Sequence, residues 1–299
     1  MTRPLVVATR RSQLALAQTR AWIRALLAAQ PGLVVEELHV TTTGDRVQDR
    51  SLQSIGGKGL FIKEIEEAIL SGRADVAVHS MKDVPAQLAP SLVIGCVPPR
   101  EDPRDVAITR EGCPLERLPA GSRIGTSSLR RAVQLGHWRR DLTFVALRGN
   151  VDTRVRRCTE GAVDAVILAR AGLARLHRLG EVTETLPPEV CLPAVGQGAL
   201  AIEHREADAE VAALLAPLSD DETHTRVAAE RGVMEAVEGS CQIPVAALAL
   251  RDGTELWLRG MLAEPDGSRL RRISRRMTWP AAAEVAHRFG LELGRELRG

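Results

Sequence analysis

The chain reads as an α/β protein: two similar α/β units, then a small α+β domain with a three-stranded antiparallel sheet. Three observations predict this. Short β-rich runs alternate with amphipathic helical stretches through the first two thirds of the sequence. Proline pairs at Pro98-Pro99 and Pro187-Pro188 interrupt that alternation. From Asp221 onward the pattern becomes one helix, three strands and a closing helix. At 299 residues the chain is too long for one ordinary core and suits two or three domains.

In chain order, Leu5–Thr9 is a buried strand and Ser12–Gln30 an amphipathic helix, with Leu14, Ala17, Ala21 and Leu27 near helical spacing. Pro31-Gly32 stops it, and Val34–Thr43 is the next strand. Gly56-Gly57-Lys58-Gly59 is a flexible connector into a helix that places Phe61, Ile62, Ile65 and Ile69 on one face. Ala74–Met81 and Leu92–Val97 complete a βαβαβ order that predicts a largely parallel sheet. In the second unit the strands are Asp105–Thr109, Arg123–Thr126, Thr143–Leu147 and Ala165–Leu168, and the helices Ser127–Arg139 and Val151–Glu160. Gly198–Glu203 is a strand that can return to the first unit. Val245–Leu250, Glu255–Leu262 and Leu270–Met277 form a meander on the turns Asp252-Gly253 and Asp266-Gly267, and a helix from Pro280 to Leu297 closes the chain. The expected domains are therefore 1–98 with 199–217, 104–193, and 220–299.

Composition narrows the function. Hydrophobic content of 44% with 26% charged residues is the balance of a soluble globular protein, and no apolar run approaches the roughly 20 residues of a membrane span. The first residues lack the pattern of a secretory signal, and five scattered cysteines without a CxxC pair argue against a disulfide framework or a zinc site, so a cytoplasmic setting is expected. The 37 arginines face only three lysines, one asparagine and no tyrosine, as GC-rich coding produces. Lysine or asparagine that survives such bias is a candidate for chemistry, because a guanidinium does not replace a compact ammonium; Lys58, Lys82 and Asn150 qualify. Nucleic-acid binding is a poor reading: the arginines are scattered, 38 acidic residues offset them, and aromatics are 2%.

Polar clusters recur where strands give way to helices: Thr9-Arg10-Arg11-Ser12, Thr126-Ser127-Ser128-Leu129-Arg130-Arg131 and Arg148-Gly149-Asn150-Val151-Asp152-Thr153-Arg154. Each combines hydroxyl or amide groups, free helix N–H groups and guanidinium forks, a set suited to carboxylate or phosphate. Any one alone is an N-cap with solvated arginines; three together predict a polyanionic ligand in a cleft between the units. His79-Ser80-Met81-Lys82-Asp83-Val84-Pro85 puts an acid at a strand end, a candidate proton donor or cation stabiliser, against the alternative of a surface ion pair. The Gly56–Gly59 loop lacks the first glycine and the Ser/Thr of a nucleotide-binding loop. Cys241, in Gly239-Ser240-Cys241-Gln242, lies in an accessible turn and is a candidate for covalent attachment. A solute-binding or ligand-sensing module remains open as an alternative; it needs no such thiol.

The segments ATRRSQLAL, GGKGLFIKEIE, DVAVHSMKDVP, IGTSSLRR, ALRGNVDTR, LPAVGQGALAIE and GSCQIP, in this order over nearly the whole chain, resemble the hydroxymethylbilane synthase (porphobilinogen deaminase) family. Thr43 before Gly44-Asp45 and Ser240 before Cys241 depart from the family pattern. The resemblance implies two periplasmic-binding-protein-like α/β domains flanking a cleft, and a monomeric enzyme of heme biosynthesis. It further implies that four porphobilinogen molecules are joined head to tail with loss of ammonia. A dipyrromethane cofactor on Cys241 then primes the chain, and Asp83 is catalytic. Cofactor and substrate carboxylates are expected on Arg10, Ser12, Lys82, Arg130, Arg131, Arg148, Arg154 and Arg175, with Thr126, Ser127, Ser128, Asn150 and Gln197 adding hydrogen bonds. Lys58 and Phe61 are expected to reach the pyrroles from a mobile flap. No metal, nucleic acid or membrane partner is implied.

Overall fold

The structure is a computed structural model that describes residues 3–46, 62–238 and 243–299. Lys58, Phe61 and Cys241 lie outside the described residues. The chain divides into two compact units, Met1–Arg100 with Ala199–His224, and Glu101–Gly198 with Thr225–Gly299.

In the first unit, β1 (Leu5–Arg10) pairs in parallel with β2 (Val35–Val40) and β3 (Val76–Ser80). Helix α1 (Gln13–Ala29) buries Trp22 and Leu26 against Leu5, Val7, Val76 and Val78 on one face of the sheet. Helix α2 (Lys63–Leu70) buries Ile65, Ala68 and Ile69 against Ala8, Ala77 and Leu92 on the other. Covering both faces is what lets strands such as Val76–Ser80 be apolar at successive positions. The edge strand β4 (Leu92–Cys96) is reached through the fourth strand of the sheet, Leu200–Arg205, which the chain supplies only after its excursion through the second unit.

The second unit repeats the plan. Its strands β5 (Asp105–Thr109), β6 (Arg123–Gly125), β7 (Thr143–Val145), β8 (Ala165–Ala169) and β9 (Glu184–Thr185) lie in the order β7-β6-β8-β5-β9. With Leu200–Arg205 as β10, the first sheet reads β2-β1-β3-β10-β4, the same arrangement position for position. Helices α3 (Leu129–Trp138) and α4 (Val151–Thr159) follow β6 and β7 and pack Leu135, Val155 and Cys158 into its cores.

The sheets are less parallel than the alternation predicts. β10 runs antiparallel to β3 and β4, and β5 antiparallel to β8 and β9. Neither strand is reached from its sheet neighbour by a helical crossover, so the rule that makes βαβ units parallel does not bind them. Short elements escape the sequence pattern, among them β9, α5 (Arg170–Arg175), α6 (Ala209–Leu215) and the single helical turn Thr43–Arg46, where the sequence pattern extends the strand to Thr43. Each is too short to display a hydrophobic period.

The last part of the second unit carries the meander β11 (Val245–Asp252), β12 (Glu255–Leu262) and β13 (Arg271–Thr278), antiparallel throughout. Leu256 and Leu258 of β12 pack on Leu293 and Leu297 of α8 (Ala283–Arg298), and α8 also meets α7 (Asp221–Ala236) through Val233 and Ala286. The two helices touch backbone to backbone: a Cβ on Gly290 would stand 2.0 Å from the Ala229 carbonyl oxygen, and one on Gly232 2.2 Å from that of His287. Neither carbonyl can yield as a side chain does. Gly290→Ala should therefore destabilise this domain by about 2–3 kcal/mol, as overpacking does, read as a lowered Tm of the purified protein.

Candidate functional site

In the first unit the strand–helix junctions are built by side-chain hydrogen bonds. Ser12 caps α1, its Oγ accepting from the Ala15 N–H at 3.3 Å, and Arg10 ends β1 half-buried beside it. Thr19 on α1 donates to Thr9 on β1 at 2.7 Å, and Gln18 donates to Ser80 Oγ at 2.9 Å, so α1 is stitched to the ends of both β1 and β3. β3 ends at Ser80, one residue short of the expected Met81. Residues Met81–Asp83 form a 3-10 turn, closed by Val84 N–H to the Met81 carbonyl at 3.1 Å and pinned by Met81 N–H to the Ala199 carbonyl at 3.0 Å. Met81 is buried as the anchor, and Lys82 and Asp83 are left exposed.

In the second unit, Thr126 is buried at the end of β6 and its Oγ1 accepts from Ser128 N–H at 3.2 Å, while Ser127 donates to the Leu147 carbonyl at 2.8 Å. The turns after β6 and β7 are thus tied together, and α3 starts there with no side-chain cap. Asn150 caps α4 by accepting from Thr153 N–H at 2.9 Å, and Gly149 before it has φ +108°, with Thr153 filling the space a Cβ needs. Arg154 donates to the Gly149 carbonyl at 2.8 Å. Arg175 donates to the Gly198 carbonyl at 2.7 Å, and burial lowers its pKa.

The expected carboxylate binders separate into two groups. Arg130 and Arg131 are buried and engaged with Asp105: Arg130 Nη1 reaches Oδ2 at 2.7 Å and Arg131 Nη2 reaches Oδ1 at 2.7 Å. Arg130 Nη1 also donates to the Leu192 carbonyl, and Arg131 Nη1 donates to the Ile167 carbonyl. Gln197, also buried, donates to Asp105 Oδ1 at 2.9 Å and to the Pro103 carbonyl. Burial pushes the Asp105 carboxyl up, but the two guanidinium charges outweigh it and hold the group well below the usual carboxylate range. Arg148 and Arg154 form the second group. Burial lowers Arg154 to about 10, and the charges of Arg131 and Arg148 push the same way. Arg131 and Arg148 therefore lie near enough to act on the charge of Arg154, and Arg131 is itself paired with Asp105.

The sequence reading missed Asp105, Gln18 and Ser80 as organisers of these junctions. Only Asp105 carried a signal, as the single acid opening an otherwise apolar strand. The thiols differ as expected from burial, which pushes Cys96 and Cys191 up to about 12, outside the range of a nucleophile at neutral pH. Among the described residues no group of three His, Cys, Asp or Glu could hold a metal ion, and no helix is long and apolar enough to cross a membrane. Asp105→Asn removes the counter-charge of two buried arginines. It should cost about 3–5 kcal/mol, seen as a large fall in Tm, whereas Gln197→Ala should cost far less.

Comparison with known proteins shows the family. Residues 5–213 match the model described as porphobilinogen deaminase, dipyromethane cofactor binding domain, and residues 224–299 match the porphobilinogen deaminase C-terminal domain. The porphobilinogen deaminase of Sorangium cellulosum is 61% identical, covering 100% of this chain and 99% of that one. That of Syntrophobacter fumaroxidans is 51% identical over 97% and 94%, and that of Bacillus subtilis 49% over 89% and 86%. With both domain models matched and identity sustained end to end, the chain belongs to the porphobilinogen deaminase family.

Proposed function

We propose that the chain is a transferase that condenses four porphobilinogen molecules head to tail, releasing ammonia, into the linear tetrapyrrole hydroxymethylbilane. Its primer is a dipyrromethane held through a thioether to Cys241. The observation that carries this reading is the half-buried pair Arg148 and Arg154 at the start of α4, where burial first, and the charges of Arg131 and Arg148 second, lower Arg154. A fold keeps like charges together at such a cost where a ligand of opposite charge repays it.

The donor set fits a dipyrromethane and a growing chain. Every ring bears an acetate and a propionate, and each carboxylate met by a guanidinium contributes about 1.5–3 kcal/mol. Arg148, Arg154, Arg175, Ser127 and the start of α3 supply such contacts in the second unit, and Arg10, Lys82 and the start of α1 in the first. Arg130 and Arg131 serve by fixing α3. When bound, the dipyrromethane supplies an electron-rich pyrrole carbon, the first nucleophile.

Asp83 does the remaining work. Its carboxylate stabilises the positive charge that builds on the substrate as the aminomethyl C–N bond breaks, and it takes the proton released once the new C–C bond has formed. Exposure on a 3-10 turn, next to Lys82, leaves it within reach of a large ligand. The flap role of Lys58 and Phe61, the division into 1–98 with 199–217, 104–193 and 220–299, and a monomeric cytoplasmic enzyme of heme biosynthesis belong to the same reading.

Asp83→Asn should keep the fold and the bound primer yet lose most turnover of porphobilinogen; near-normal activity refutes the role. Cys241→Ser should lack the two-pyrrole addition in its intact mass and stay colourless with acidic p-dimethylaminobenzaldehyde, while the parent protein colours. Arg154→Gln relieves repulsion, so the primer-free protein should melt higher while KM for porphobilinogen rises about tenfold or more, the loss of one charged hydrogen bond; an unchanged KM places the carboxylates elsewhere.

A further inference from the structure

A second buried polar cluster lies under α2, on the face of the sheet opposite α1. His79 is the next-to-last residue of β3, and Glu203 lies on the neighbouring β10. The register pairs His79 with Ala201 and Ala77 with Glu203, so the two side chains share a face as diagonal neighbours. His79 Nε2 and Glu203 Oε2 share a hydrogen bond of 2.9 Å, with the side chains 5% and 1% exposed. The other carboxyl oxygen, Glu203 Oε1, is buried with no hydrogen-bond partner among the described residues.

A third group closes the cluster from above. Glu66 on α2 interacts electrostatically with both His79 and Glu203, and its Oε1 accepts from Ala89 N–H at 3.2 Å. Burial pushes the Glu66 carboxyl up, the Ala89 N–H lowers it, Glu203 raises it further and His79 lowers it. Ala89 belongs to the segment that follows Asp83, between the 3-10 turn and β4. The cluster therefore touches the chain on both sides of Asp83: His79 four residues before it and Ala89 six residues after it.

Such a cluster is costly. An isolated buried carboxylate is strongly disfavoured, and the surrounding side chains Ala68, Ala77 and Leu92 offer no compensation. An alanine or leucine pair here would stabilise the sheet more simply. Its placement gives the reason for keeping it: the polar bond adds a directional side-chain tie to the backbone pairing of the last residues of β3, and the exposed turn Met81–Asp83 hangs from those residues.

We propose that His79, held by Glu203 beneath α2, is a positioning residue for Asp83. The proposal rests on the role given to Asp83 above. Neither side chain touches substrate; both act through the strand end, where a misplacement of about 1 Å costs on the order of a hundredfold in rate.

The test is a double-mutant cycle on the primer-loaded enzyme, with Tm and primer content measured for each variant. Glu203→Ala and His79→Ala should lower kcat about tenfold to a hundredfold with KM within about twofold, since the carboxylate-binding arginines are untouched. Glu203→Gln, which still offers Nε2 an oxygen, should recover most of the loss. In the presence of Asp83→Asn, either substitution should bring no further loss, because groups that act as a unit are not additive. The 13C carboxyl resonance of Asp83 should shift in Glu203→Ala and return in Glu203→Gln. Should the alanine variants not fold, the cycle is run with His79→Gln and Glu203→Gln together. Normal kcat in the single variants, an unmoved Asp83 resonance, or losses that multiply with Asp83→Asn overturn the proposal. Normal turnover in Asp83→Asn alone overturns the role of Asp83 instead.

Discussion

Like charges held close together are the constraint around which the second unit is arranged. Arg130, Arg131 and Arg154 lie in the first turns of two helices and Arg148 two residues before the cap of the second, two of them buried and two half-buried, and no fold can hold such a set without an answer to its repulsion. Asp105 answers half of the problem. It takes Arg130 and Arg131 on separate oxygens and admits Gln197 as a further donor. One buried carboxylate thereby separates the paired, buried arginines from the half-buried ones.

The first unit meets a gentler requirement by neutral means. Its junctions are assembled from Ser12, Thr9, Thr19, Gln18 and Ser80, short polar groups that satisfy helix and strand ends and fix the angle at which the chain leaves the sheet. The 3-10 turn after β3 uses the same economy: one apolar anchor, Met81, and two backbone hydrogen bonds leave Lys82 and Asp83 in solvent. In the function proposed above, an acid that exchanges protons gains from that exposure, while arginines that grip carboxylates gain from partial burial. The two units share a strand order, and the first sets an exposed acid, Asp83, beside a cation at the end of β3.

Much of this was legible before any coordinates. Hydrophobic period and proline punctuation placed nearly every long element within one to three residues, because a buried face imposes its period on the sequence. The hydroxyl, amide and arginine clusters marked the junctions, since caps and anion sites draw on few residue types. The direction of β5 and β10 was not legible. Strand direction depends on which neighbour a strand meets, and both meet theirs after long detours.

The sequence by itself determined the elements, the family and the kinds of residue at each junction, because local propensity, capping and motif spacing act over a few residues. Tertiary structure alone decided how those residues divide their labour. Arg130 and Arg131 look no different from Arg148 and Arg154 along the chain, and only the arrival of Asp105 from a distant strand buries one pair. His79 and Glu203 lie 124 positions apart, and only the antiparallel register of β3 and β10 sets them on one face. Charge compensation and burial depend on distance through space, which the order of residues does not encode locally.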